Sequence, residues 1–210
     1  MQLKLTDLDP ESVARKGVER IVEHFYAIAS RLDPTLVLAL PPDVGATGLR
    51  PTLHALTAYA QRGLPVWDWT DSGMAADGLL DALAALYGSP CGGLEATAID
   101  VVDDVDPEDA IGLVLVGAAA RIRLDQGRSV TARELAVLAG VAATYVRRLA
   151  RKGELPTTDE RPARIAAEDA VRWLDSRSIA FPCPGGCGER LVAPFTRSSP
   201  LECVGCGYRE

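Results

Sequence analysis

Asparagine is absent from this chain of 210 residues, lysine occurs 3 times against 19 arginines, and histidine only twice. The same chain is rich in Ala, Leu, Val and Gly, a bias that reads as a GC-rich coding sequence. Arginine in place of lysine therefore says little about bidentate base recognition, although its planar fork suits that task. His24 on a predicted amphipathic helix and His54 near the start of another read as surface or core residues rather than catalysts. No apolar run approaches the roughly 20 residues that cross a bilayer. The longest obvious run, Ile111 to Ala120, is half that, so no membrane segment is expected. The opening "MQLKLTDLDPES" has no basic stretch followed by an apolar one, so no secretory signal is expected and the cytoplasm is the expected compartment.

Other absences narrow the chemistry. "PPDVGATG" lacks the Gly-Lys-Ser/Thr ending of a phosphate loop. Asp68, Asp71 and Asp77 have no EF-hand spacing, and Trp67 and Trp69 among them read as strand anchors. "DVVDDVDPED" would repel a phosphate and reads as a solvated turn and helix start. Cys91 stands alone in "GSPCGG" as a loop or packing residue. With no nucleophile–base pairing in view, no enzyme activity is expected.

What is present is the composition of a folded protein, 48% apolar and 24% charged. The net charge of −7 is unevenly spread. Residues 1–120 carry 7 Lys/Arg against 18 Asp/Glu, residues 121–177 carry 12 against 8, and residues 178–210 balance at 3 and 3. A basic middle beside an acidic body is the asymmetry expected when one module meets a polyanion and another does something else.

Along the chain, "DPES" opens a helix over Pro10–Leu32, with Val13, Val18, Ile21, Val22, Phe25 and Ile28 at helical spacing. "TLVLAL" (35–40), "LPVWDWT" (64–70) and "EATAIDVV" (95–102) read as short strands. "RPTLHALTAYAQRG" reads as a helix stopped by Gly63, and Met74–Tyr87 as another. This alternation predicts a small α/β or α+β domain over 1–105. A long helix over 106–127 is expected to close it or to bridge onward.

"TARELAVLAGVAATYVRRLARKGELP" (131–156) is a second kind of segment. Thr131 and Glu134 have capping-box spacing. Leu135, Ala136, Leu138 and Ala139 form the apolar side of a short helix, and Gly140 sits where a positive φ is needed. Val141 plugs the junction. A second helix then turns Val146, Leu149 and Ala150 inward and Thr144, Arg147, Arg148 and Arg151 outward. A short cationic helix presented in this way fits a B-DNA major groove.

This stretch, with "RIAAEDAVRWLDSR" after it, resembles the winged helix-turn-helix DNA-binding domains of the MerR/excisionase-like superfamily over about residues 128–177. Gly140-Val141, Gly153-Glu154-Leu155-Pro156, Ile165, Asp169 and Trp173-Leu174 carry the resemblance. It implies a recognition helix containing Thr144, Tyr145, Arg147, Arg148, Arg151 and Lys152, and a wing, "TTDERPAR", whose Arg161 and Arg164 reach phosphates or the minor groove. Tyr145 either stacks on the DNA backbone or packs against the third helix. Ala142 stands where the family usually has a capping Ser or Thr, a loss of about 1 kcal/mol of helix stability.

"CPGGCG" (183–188) and "CVGCG" (203–207) pair four cysteines, Cys183, Cys187, Cys203 and Cys206, in glycine-bearing loops. This arrangement resembles a zinc ribbon over about 181–210, with one extra residue in the first knuckle. Close thiolates in tight turns direct sulfur to one tetrahedral ion, and four thiolates leave no open position for hydrolysis. One structural Zn²⁺ is therefore the expected cofactor.

The expected architecture is an α+β multidomain chain: a small α/β or α+β N-terminal domain, a winged helix-turn-helix and a C-terminal zinc ribbon. The expected function is sequence-specific transcriptional regulation on double-stranded DNA, as a cytoplasmic, nucleoid-associated homodimer with a protein partner or effector for residues 1–105. The alternatives are an excisionase-like architectural or recombination factor, and an antitoxin-like or host-takeover adapter working through its N-terminal domain.

Overall fold

The computed structural model describes residues 3–32, 49–62, 110–159, 163–177, 179–183, 185–193, 195 and 202–209. They form a mixed, helix-rich α+β arrangement with a few short strands. The strands expected at 35–40, 64–70 and 95–102, the helix at 74–87, the helix start at 106–109, Cys91 and Arg161 lie outside the described residues.

After a single 3-10 turn at Leu5–Asp7, α1 runs over Pro10–Leu32. Its start follows the sequence closely: the Ser12 amide donates to Asp9 Oδ2 at 2.9 Å, and Pro10 occupies a position whose N–H would be unpaired. α2 spans Leu49–Arg62, ending just before Gly63. α3 spans Ala110–Asp125, two residues short of the expected end at Gly127. Every residue from Ile111 to Leu124 is buried, so α3 has no polar face and lies inside the protein. Close approach needs small residues: a Cβ on Gly17 would sit 2.8 Å from Leu53 Cδ1, and one on Gly117 would sit 2.6 Å from Leu5 Cδ2. No helix among the described residues is long and apolar enough to cross a membrane.

Polar groups inside this helical layer are paired. Gln61 donates from Nε2 to the carbonyls of Leu5 (2.9 Å) and Leu8 (2.7 Å), holding the N-terminal turn on α2. Tyr59 donates its hydroxyl to Asp125 at 2.6 Å. Arg121, 3% exposed, donates to the last-turn carbonyls of α2 at Ala60 and Gln61, both at 3.4 Å, and stacks 3.9 Å over the ring of Phe195.

Beyond α3 come β1 (Val130–Thr131), α4 (Ala132–Ala139), α5 (Ala143–Arg151), β2 (Arg164–Ile165) and α6 (Ala167–Asp175). β1 and β2 pair antiparallel, Val130 opposite Ile165 and Thr131 opposite Arg164, and Thr157 bridges Ile165 on the other side. β3 (Ile179–Pro182) and β4 (Arg190–Ala193) form a hairpin, with β3 beside the 3-10 turn. One hydrophobic core joins these parts, running from Leu5 through α1, α2 and α3 to Leu135, Val146, Leu174 and Phe195.

Candidate functional site

The four paired cysteines converge. The sulfurs of Cys183, Cys187, Cys203 and Cys206 all lie within 4.8 Å of one another, a grouping able to hold a metal ion. Cys183 and Cys203 are buried, Cys187 and Cys206 exposed, and none is disulfide-bonded. Two tight loops create this. In the first, the Cys183 amide donates to Glu189 O (2.9 Å) and the Gly186 amide to Cys183 O (3.0 Å). In the second, the Cys203 amide donates to Tyr208 O and the Gly207 amide to Cys203 O, both at 2.8 Å. The extra residue of the first loop is absorbed by glycine: a Cβ on Gly185 would stand 3.0 Å from Cys206 Sγ and 3.2 Å from Tyr208 Cβ.

The electrostatics of the cluster are divided. The Cys206 amide, directed at the Cys203 sulfur, draws that thiol down to about 7. Burial pushes Cys183 up to about 12. Thiolates packed this closely repel one another and resist desolvation, so a bound cation is what allows all four to ionise together. Among the described residues, Leu191 and Tyr208 pack with the two buried cysteines, a small core for which a bound metal would supply folding energy. The module also leans on the rest of the chain. Phe195 is buried over Arg121, and Arg190 donates to Asp7 Oδ1 at 2.9 Å.

The second feature is α5 and its surroundings. Thr131 Oγ1 accepts from the Glu134 amide at 3.2 Å and Glu134 Oε2 accepts from the Thr131 amide at 2.6 Å, completing the capping box that opens α4. Glu134 also forms a buried ion pair with Arg123 of α3, a contact that sequence spacing does not announce. At the other end of α4, Gly140 adopts φ 63°, and the amides of Gly140 and Val141 return to Val137 O and Ala136 O. This left-handed residue turns the chain into α5, whose cap Ala142 makes no side-chain hydrogen bond.

Within α5, Val146 and Leu149 are buried, and Thr144, Arg147, Arg148 and Arg151 are exposed. Positions 144, 147, 148 and 151 are spaced by three and four, so they share one helix face. Lys152 follows, exposed and 3.8 Å from Glu154. Tyr145 is half-buried and shares a cation with Trp173 of α6: the Arg177 guanidinium, just beyond that helix, lies 5.6 Å from the Tyr145 ring and 4.8 Å from that of Trp173, while Arg148 lies 5.2 Å away. Arg164 sits in β2 opposite Thr131 of β1, half-buried, where its amide donates to Thr158 Oγ1 and its carbonyl accepts from the Thr158 amide. A cleft of about 410 Å³ opens between α5, the start of α4 and the β1–β2 pair, lined among others by Arg133, Arg147, Arg151, Thr157 and Ile165. Arg133 and Arg177 are the cations here that sequence reasoning missed. Helical phase from the cap at Thr131 places Arg133 in the first turn of α4, but nothing in the sequence brings Arg177 to Tyr145.

Compared in turn with family models, with curated proteins and with solved structures, the chain finds no match.

Proposed function

We propose that this chain is a regulator that binds double-stranded DNA sequence-specifically through residues 128–177, folded as a winged helix-turn-helix and braced by a zinc ribbon over 181–210. The observation that carries the reading is the single exposed face of α5 formed by Thr144, Arg147, Arg148 and Arg151 beside the short antiparallel pair of β1 and β2, which Thr157 extends by a bridge to Ile165. A helix with its side chains is about 10–12 Å across, close to the width of a B-DNA major groove, and the 9 residues of α5 give it about two and a half turns to present there. Arg147 and Arg148 then reach base edges, and Arg151, Lys152, Arg161 and Arg164 neutralise phosphates. Tyr145, half-buried beside Arg177 and Arg148, steadies the helix rather than reading sequence. Four thiolates make a closed tetrahedral site, so zinc would supply folding energy and no hydrolytic chemistry. One short helix gives limited specificity, and a homodimer on two half-sites multiplies it.

Selection of bound fragments from the source genome, repeated at several salt concentrations, tests this. The expected result is enrichment of a short site that Arg147→Ala/Arg148→Ala loses. Binding with no preferred site, or none, overturns the reading and turns attention to residues 1–105 as an adapter surface.

A further inference from the structure

Residues 3–8 lie between the cysteine cluster and the turn that aims α5. On one side, Arg190, three residues after Cys187 and first in β4, donates to Asp7 Oδ1 at 2.9 Å and to Thr6 O at 3.5 Å. On the other side the strap covers the α4–α5 turn. A Cβ on Gly140 would meet Thr6 Oγ1 at 3.5 Å and Lys4 Cδ at 3.6 Å, and Leu3, Lys4 and Leu5 line a small cleft with Val137, Gly140 and Ala143. Between these two ends the strap is fixed: Leu5 is 1% exposed against α3, Thr6 is buried, and Gln61 holds the carbonyls of Leu5 and Leu8. A displacement of the first cysteine loop therefore reaches Gly140 through two consecutive residues, Asp7 and Thr6, the second of which stands over the turn.

We propose that this N-terminal strap couples metal loading of the cysteine cluster to the setting of the α4–α5 turn, so that metal content regulates the cationic helix. The regulatory consequence rests on the DNA reading above, whereas the coupling itself does not. Coupling between two sites is reciprocal and requires an element that both of them bias. The strap is such an element, because it touches both.

Hydrogen exchange on the full chain, loaded with Zn²⁺ and then stripped with a chelator, reads the coupling without DNA. Stripping is expected to speed exchange of the amides from 139 to 146 at least about fivefold, the lower end of common inter-site coupling, while α1 and α2 stay protected. Asp7→Arg sets two like charges against each other at the contact and is expected to shrink that difference below about twofold, with Asp7→Arg/Arg190→Asp restoring it. Arg190→Gln, a milder change, should show the same loss should the charge reversal disturb folding. Loosening confined to 183–209, loosening spread evenly through α1 and α2, or a difference that survives both Asp7→Arg and Arg190→Gln overturns the proposal. Intact coupling in a chain that binds no DNA would remove only the earlier reading.

Discussion

Two sets of arginines separate the inside of this protein from its presented surface. Arg121 and Arg123 lie on α3 at 3% exposure each, one donating to helix-end carbonyls under a phenyl ring and the other paired with Glu134. Arg147, Arg148 and Arg151 lie on α5 and are exposed. In sequence the two sets look alike and both add to the positive count of residues 121–177. Their surroundings give them opposite work: the buried pair is consumed by the fold, and the exposed set is available to a ligand. Positive charge along a sequence is thus a measure of polyanion binding only after the buried share has been removed.

The difference is sharpest under mutation. Glu134→Ala removes a capping partner and leaves Arg123 buried without its carboxylate, so unfolding free energy should fall by about 3–5 kcal/mol in urea titration. The double change Arg123→Met/Glu134→Leu should recover most of that loss, because an apolar pair of similar size needs no desolvation of charge. If Glu134→Ala unfolds at the wild-type urea midpoint, the pair is not the brace described here. Next in size, Ala142→Ser supplies the missing cap oxygen at the start of α5. It should raise stability by about 1 kcal/mol, visible as a later thermal midpoint. Smallest in stability terms, Arg147→Ala and Arg148→Ala should each shift unfolding by no more than about 0.5 kcal/mol. On the proposed reading the same substitutions weaken specific DNA binding by about 1–3 kcal/mol each, measured by titration at fixed salt. A large loss of stability from either would place these side chains with the buried set and erase the contrast.

Much of this was legible where local chemistry decides. The Asp9-Pro10 start of α1, the end of α2 at Arg62, the Thr131–Glu134 cap and the turn at Gly140 are all short-range events, and each is found where its residues predict. Each cysteine pair was legible for the same reason, since each loop is only a few residues long, and the meeting of the two loops was legible from chemistry, because one tetrahedral ion takes four thiolates. Long-range pairings were not. Arg123 and Glu134 are 11 residues apart across a turn, and helical spacing could flag only the capping role of the glutamate. Phe195 gives no sign in sequence that it leaves the cysteine module to lie over Arg121, because that contact depends on how three separate segments stack. The strand readings of residues 35–40, 64–70 and 95–102 fall outside the described residues and stand as expectations.

The all-round burial of α3 decides how the protein can be divided. Its flank toward α2 and its flank toward α4 belong to the same core, so it is a common wall and not a tether between rooms. A fragment beginning at residue 128 would keep Glu134 and discard Arg123, and would bare the apolar side of α4 that Leu135 and Leu138 now bury. A fragment ending at residue 109 would strip α2 of one of the two helices it packs against among the described residues. Dissection experiments, deletion series and fusions to reporter proteins should therefore carry residues 110–125 with whichever half is kept.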